Sequence, residues 1–180
     1  MKCAITGALS YSGRYLAASL LSKGHDVVNL SRRGVPIAPE PLSAPQARAL
    51  GTHRVRLDFN DVNAMARSLE GCDVLFSTYW VRFADRGGES PHSIAAANCA
   101  RLWEAAKRAG VRKVVMASHT RTSVDSPFPY IAGKAQAEAA LRDSGVNYAI
   151  VRPCGIFGDT AQESILMNNA AWVLRRSPLF

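Results

Sequence analysis

Apolar and polar positions alternate in blocks along this chain. A short apolar run, Cys3-Ala4-Ile5, ends at Thr6-Gly7. Gly13 then opens a stretch in which Leu16, Ala17, Leu20 and Leu21 share one face, with Ser19 and Ser22 off it. This pattern predicts a strand, a glycine turn and a helix closed at Gly24. Asp26–Leu30 predicts a second strand. The region from Gly34 to Gly51 holds Pro36, Pro39, Pro41 and Pro45, and reads as an irregular crossing with one helical turn near Gln46–Leu50. His53–Leu57 predicts a third strand, and Asp61 the N-cap of a helix through Leu69. Val74–Val81 is a nearly continuous apolar run, as expected of a central parallel strand buried on both faces. After the polar loop Arg82–Pro91, Ser93–Ala109 predicts an amphipathic helix. Lys113–Ala117 predicts a fifth strand, Tyr130–Ser144 a helix, Asn147–Val151 a sixth strand and Ile165–Arg176 a further helix. Strands alternating with helices in this way predict an α/β fold, a doubly wound parallel sheet with right-handed crossovers.

Composition narrows the class. At 180 residues and 48% hydrophobic, the chain suffices for one domain with a sizeable core. Net charge is +8, yet the basic residues are scattered, apart from the pairs Arg32-Arg33, Lys107-Arg108, Arg112-Lys113 and Arg175-Arg176. No arginine-rich tail or basic amphipathic helix stands out, so nucleic acid is not the expected partner. An anionic small ligand would account for part of the excess, and solvated surface for most of it. Cys3, Cys72, Cys99 and Cys154 lie far apart and read as buried free thiols in a reducing compartment. The four histidines, His25, His53, His92 and His119, have no metal-ligand spacing, and no metal is expected. No signal-peptide apolar region and no run of about 18 apolar residues is present, so a cytoplasmic protein without a transmembrane segment is expected.

Candidate chemistry sits at the ends of the strands. Gly7-x-x-Ser10-x-x-Gly13 has the place of a Rossmann-type phosphate turn, in which backbone N–H groups and the helix dipole face a pyrophosphate. Thr6, Gly7, Ser10, Tyr11, Ser12 and Gly13 are the candidate phosphate-binding residues. Ser10 stands where the middle glycine is usual. Its side chain either hinders the approach of the pyrophosphate or bonds a phosphate itself. The second strand ends in Arg32-Arg33 with no acid, which favours the 2′-phosphate of NADP(H) over the ribose hydroxyl of NAD(H). Asp58, with Phe59 beside it, lies where such folds contact adenine, although a strand-end turn residue is an equal reading. Thr78 and Tyr79, with Trp80, would face the cofactor crevice.

Tyr130 and Lys134 stand four apart, on one face of a helix. A neighbouring ammonium lowers a phenol's pKa and fits it for proton transfer while hydride moves. Thr120, with Ser118 as the alternate, ends a neighbouring strand and offers a hydroxyl for a substrate oxygen. His119, beside Thr120, is placed where it could touch substrate but reads rather as a loop histidine, and Asn98 reads as either a site residue or a polar-face residue. Gly133 inside the helix hints at close packing.

Thr6-Gly7-x-x-x-Tyr11-x-Gly13-Arg14, Ser118-His119-Thr120, Tyr130-x-x-x-Lys134 and Arg152-Pro153-x-Gly155-Ile156-Phe157-Gly158 occur in one order along nearly the whole chain. Together they resemble the short-chain dehydrogenase/reductase superfamily. The branch is the extended and atypical one, which includes epimerase/dehydratase-like proteins, NmrA-like proteins and the nucleotide-binding accessory subunit of respiratory complex I. Pro129–Lys134 with Asn168-Asn169, Trp172 and Arg175-Arg176-Ser177-Pro178 looks most like the complex I relatives. The resemblance implies Tyr130 as acid–base and Lys134 as the residue that tunes it and binds the nicotinamide ribose. It also implies that Thr120 orients substrate and that Pro153, Cys154, Gly155 and Ile156 border the nicotinamide. The expected activity is NADP(H)-dependent hydride transfer to or from a small carbonyl or alcohol. The alternative is a non-catalytic NADPH-binding structural or redox-sensing subunit, as a homodimer or within a larger complex. Residues 1–160 are expected to form the dinucleotide-binding domain, and 161–180 to begin a substrate lobe that is cut short.

Overall fold

The computed structural model describes residues 1–31, 40–81, 90–156 and 165–177. In chain order the elements are β1 (Lys2–Thr6), α1 (Tyr11–Ser22), β2 (Asp26–Leu30), α2 (Ala44–Thr52), α3 (Val62–Leu69), β3 (Val74–Ser77), α4 (Pro91–Arg108), β4 (Lys113–Ala117), α5 (Pro129–Asp143), β5 (Tyr148–Val151) and α6 (Ile165–Arg176). The strands form one sheet in the order β2-β1-β3-β4-β5, and every pairing is parallel.

Side-chain alternation along the strands divides the core in two, because successive residues point to opposite faces. Cys3, Ile5 and Phe76 face Ala17, Leu20, Ala47 and Leu50 of α1 and α2. Ala4, Leu75, Val114 and Met116 face Met65, Leu69, Leu102, Trp103, Ala137 and Leu141 of α3, α4 and α5. Trp103 is fully buried, and its indole N–H donates to the Ala137 carbonyl at 3.2 Å, fixing α4 against α5. The result is the doubly wound α/β sheet expected from the periodicity. The order in which the chain adds strands reverses between β1 and β3, and ligands in open sheets bind beyond the carboxyl ends of the strands at such a point.

Two expectations are corrected. His53–Leu57 is not the expected third strand but a single parallel bridge from Val55 to Leu30. The Val55 amide donates to the Asn29 carbonyl at 2.9 Å, and the Val55 carbonyl accepts from the Ser31 amide at 3.0 Å. Arg54 and Arg56 are exposed on either side, so only Val55 and Leu57 offer apolar surface, too little to zip a ladder at the sheet edge. Conversely, α2 is a full nine-residue helix and not one turn. Ser43 and Gln46 make a reciprocal capping box, and Pro45 occupies the first turn. Boundaries also move: α1 begins at Tyr11, and β3 ends at Ser77, short of Val81. Cys3, Cys72 and Cys99 are buried as expected, whereas Cys154 is exposed on the segment after β5. Among the described residues, no helix is long and apolar enough to cross a membrane.

Candidate functional site

The turn between β1 and α1 is held from three sides. Gly7 has φ +70°, a conformation glycine adopts without strain, and its amide donates to the Leu30 carbonyl at 2.7 Å. The Ala8 amide donates to Oδ1 of buried Asn29 at 2.9 Å, and Asn29 Nδ2 donates to the Leu50 carbonyl at 3.0 Å. Asn29 thereby ties the turn to β2 and α2. Its signal in the sequence is a lone amide inside the apolar run Val27-Val28-Asn29-Leu30. Ser10 is the N-cap of α1, and its Oγ accepts from the Gly13 amide at 3.2 Å. The Ser10 hydroxyl therefore serves the helix end. A Cβ built on Gly13 would lie 2.0 Å from the Gly7 carbonyl oxygen, so only glycine lets the helix approach the turn this closely.

The amides of Tyr11 and Ser12, in the first turn of α1, have no hydrogen-bond partner among the described residues. No acid stands in that turn. Two open donors at a helix N-terminus suit the pyrophosphate of a dinucleotide, so this part of the chain fits the group its pattern implies. Arg14, unremarked in the sequence beyond its place in the motif, is buried with its guanidinium over the rings of Tyr11 and Tyr15. Arg32 and Arg33 lie outside the described residues.

Thr6 and Thr78 lace β1 to β3 at the floor of the crevice. The Thr78 amide donates to Thr6 Oγ1 at 2.8 Å and the Thr78 hydroxyl to the Thr6 carbonyl at 2.6 Å. Phe59 is buried with its ring 4.5 Å from that of Tyr79, whose hydroxyl accepts from Asn98 Nδ2 at 2.9 Å. Asn98 is thus a buried partner of the crevice. Asp58 Oδ1 accepts from the Asn60 amide at 3.0 Å, as a turn residue would.

Tyr130 opens α5 over the carboxyl ends of β3 and β4. Its ring meets three others edge-on: Trp80 at 5.9 Å, His92 at 5.4 Å and His119 at 5.5 Å between centroids. A Cβ on Gly133 would lie 2.9 Å from the His92 carbonyl oxygen. The glycine therefore lets α5 close on the start of α4 and brings His92 to Tyr130. One turn below, Lys134 is buried, its Nζ donating to the Ala117 carbonyl at 2.9 Å and lying 4.0 Å from the centre of the Trp80 ring. Burial pulls the Lys134 pKa down to about 8, with Cys99 and Glu138 acting in the opposite sense. The ammonium is thus held by a carbonyl and a π face within the crevice.

Ser118 is brought elsewhere. It is buried and its Oγ donates to Glu138 Oε1 at 2.6 Å. Glu138, itself buried, also accepts from Thr122 at 3.2 Å, from Arg152 Nε at 3.0 Å and from Arg142 at 2.8 Å. Burial alone would raise its pKa, but hydrogen bonds from Arg152, Ser118 and Arg142 overcome that and hold it at about 2. Ser118 is therefore a strut joining β4, α5 and the end of β5, with its hydroxyl committed to Glu138. Thr120 is exposed in the following turn, and its neighbour His119 is the residue set against Tyr130. Glu138 was missed in the sequence, although Tyr130, Lys134 and Glu138 repeat at intervals of four on one helix face. Pro153 is half-buried, and Cys154, Gly155 and Ile156 are exposed beyond β5. Phe157 and Gly158 lie outside the described residues.

A doubly wound parallel sheet with an open helix N-terminus over a glycine turn, at the point where strand order reverses, defines a dinucleotide-binding Rossmann domain. The chain belongs to the NAD(P)H-binding family, whose model matches residues 7–172. An uncharacterized protein of Mycobacterium tuberculosis is 30% identical over 158 residues, which cover 88% of this chain and 15% of that protein. Subunit 9 of the NADH dehydrogenase [ubiquinone] 1 alpha subcomplex of Dictyostelium discoideum, a mitochondrial protein, is 28% identical over 159 residues, or 86% of this chain and 42% of the subunit. The chain thus spans less than half of either relative. Among solved structures, a dTDP-glucose 4,6-dehydratase of Streptomyces venezuelae with NAD bound superposes with a TM-score of 0.69 at 21% identity, covering 97% of this chain and 62% of that one. The NADPH-dependent quinone oxidoreductase QOR2 of Escherichia coli, complexed with NADPH, gives 0.63 at 24%, covering 94% and 53%. Both neighbours share the fold of this chain.

Proposed function

We propose that this chain binds NADP(H) in preference to NAD(H) and supports hydride transfer to or from a small carbonyl or alcohol, with Tyr130 as the acid–base. The observation that carries this reading is that the Tyr130 ring and the buried Lys134 ammonium both meet the Trp80 ring, beyond the end of β3. Arg32 and Arg33 supply the charge for a 2′-phosphate, and the Tyr11 and Ser12 amides the donors for the pyrophosphate. NADPH, when bound, supplies the hydride. Tyr130 donates its phenolic proton to the substrate oxygen as the carbonyl carbon is reduced. Lys134, held by the Ala117 carbonyl and the Trp80 face, keeps positive charge beneath the phenol and stabilises the phenolate left behind. Pro153 to Ile156 border the nicotinamide in this reading.

NADPH oxidation with a set of small aldehydes, ketones and quinones tests it. Tyr130→Phe is expected to lower kcat/KM by about 10²–10⁴-fold with NADPH affinity unchanged. Turnover that survives this substitution contradicts the assignment.

A second reading is favoured by the likeness to the complex I subunit: a cofactor-binding structural or redox-sensing subunit with no chemistry of its own. It expects NADPH binding without turnover. An NADPH-dependent activity lost in Tyr130→Phe counts against it.

A further inference from the structure

We propose that His119, and neither Thr120 nor Ser118, is the group that donates a hydrogen bond to the substrate oxygen beside Tyr130. The inference rests on the hydride-transfer reading above. Three observations carry it. The Ser118 hydroxyl is spent on Glu138 inside the fold, so turning it to a substrate would break a buried, charge-assisted bond. Thr120 is exposed one residue further along the turn. His119 lies between them at the carboxyl end of β4, half-buried, with its ring edge-on to Tyr130 at 5.5 Å.

The ring is also oriented. Its Nδ1 accepts from the Arg121 backbone amide at 3.5 Å. A neutral imidazole whose Nδ1 accepts carries its proton on Nε2, so the turn presets His119 as a donor. The preceding residue, Ala117, provides the carbonyl that anchors Lys134. One short segment after β4 thus sets both the lysine and the imidazole relative to Tyr130. His92 also meets Tyr130 edge-on with the same tautomer, since its Nδ1 accepts from the Trp80 indole at 3.2 Å. It differs in being stacked on Trp80 and pressed against Gly133 at the start of α4. His119 is the one that ends a strand, where a substrate oxygen enters an open sheet.

Two measurements test the proposal. In ¹⁵N-histidine NMR spectra of the cofactor-free protein at pH 8, the resonances assigned through His119→Gln are expected to report the Nε2–H tautomer. The Nδ1–H tautomer overturns the proposal without reference to activity. In NADPH oxidation with cyclohexanone, benzaldehyde and 1,4-naphthoquinone as probes, His119→Leu is expected to lower kcat/KM about 10²–10³-fold, as loss of a donor to a reacting oxygen does. The NADPH dissociation constant stays the same. His119→Gln, which keeps an N–H donor, recovers activity to within about tenfold of the native protein. Thr120→Val costs less than His119→Leu, and the reverse order overturns the proposal. Full activity in His119→Leu, with Tyr130→Phe inactive, removes His119 and leaves the hydride-transfer reading standing. Full activity in Tyr130→Phe, or no turnover with any probe, removes that reading and this inference with it.

Discussion

Gly13→Ala is expected to reduce NADPH affinity by at least about 100-fold and to cost about 2–3 kcal/mol of stability. The added methyl would lie 2.0 Å from the Gly7 carbonyl oxygen and 2.9 Å from its carbon, so backbone must move away from backbone. The parts that move are the ones that present the Tyr11 and Ser12 amides. A shift of about 1 Å misaligns donors that work only at about 2.9 Å. Gly51→Ala, on the neighbouring helix α2, is the control. Its methyl would meet Leu9 at 3.6 Å, an ordinary contact, and NADPH affinity should be unchanged. Cofactor titration and urea unfolding of both variants check the contrast. Equal NADPH affinity in Gly13→Ala and the native protein would contradict the assignment of this turn.

Glu138→Ala is expected to lower stability by about 2–4 kcal/mol, because its buried carboxylate accepts from Ser118, Thr122, Arg142 and Arg152 at once. It leaves buried Ser118 without its acceptor and frees Arg152 and Arg142, each about two-fifths exposed and therefore partly resolvated. The pH dependence follows from the ionisation. Glu138 is held at about 2 in the folded chain against 4.5 when unfolded. Its contribution is therefore fully present above about pH 4.5 and is lost as pH falls toward 2. The stability gap between the native protein and Glu138→Gln, read from urea unfolding, should narrow by about 1–2 kcal/mol between pH 7 and pH 3. A gap of constant size would show that the ionised carboxylate is not what the network stabilises.

These two residues illustrate what the sequence discloses and what it hides. Gly13 is legible because glycine, turn and helix start are contiguous, and the reason for glycine is local. Tyr130 and Lys134 are legible for the same cause, since their spacing on one helix is a property of a single element. Their surroundings are not. Trp80, His92 and His119 come from the ends of β3, α4 and β4, and only the parallel topology gathers them around Tyr130. Ser118 shows the cost of reading a strand end alone. Its hydroxyl has the right place in the chain, but Glu138, twenty residues on, claims it. The segment around Val55 reads as a strand because apolar alternation records which side chains are buried. It does not record whether a neighbour is long enough to sustain a ladder. The helix α2 is harder to see for the opposite reason: four prolines mask a capping box that is plain in Ser43 and Gln46.

Fluorescence titration of the purified protein with NADPH and, separately, with NADH tests the central claim most directly. Saturable binding of NADPH, at least about tenfold tighter than NADH and reduced to the NADH level in Arg32→Ala, is the expected result. Absence of saturable binding for both dinucleotides would contradict the claim that the Gly7–Gly13 turn of this chain holds a cofactor.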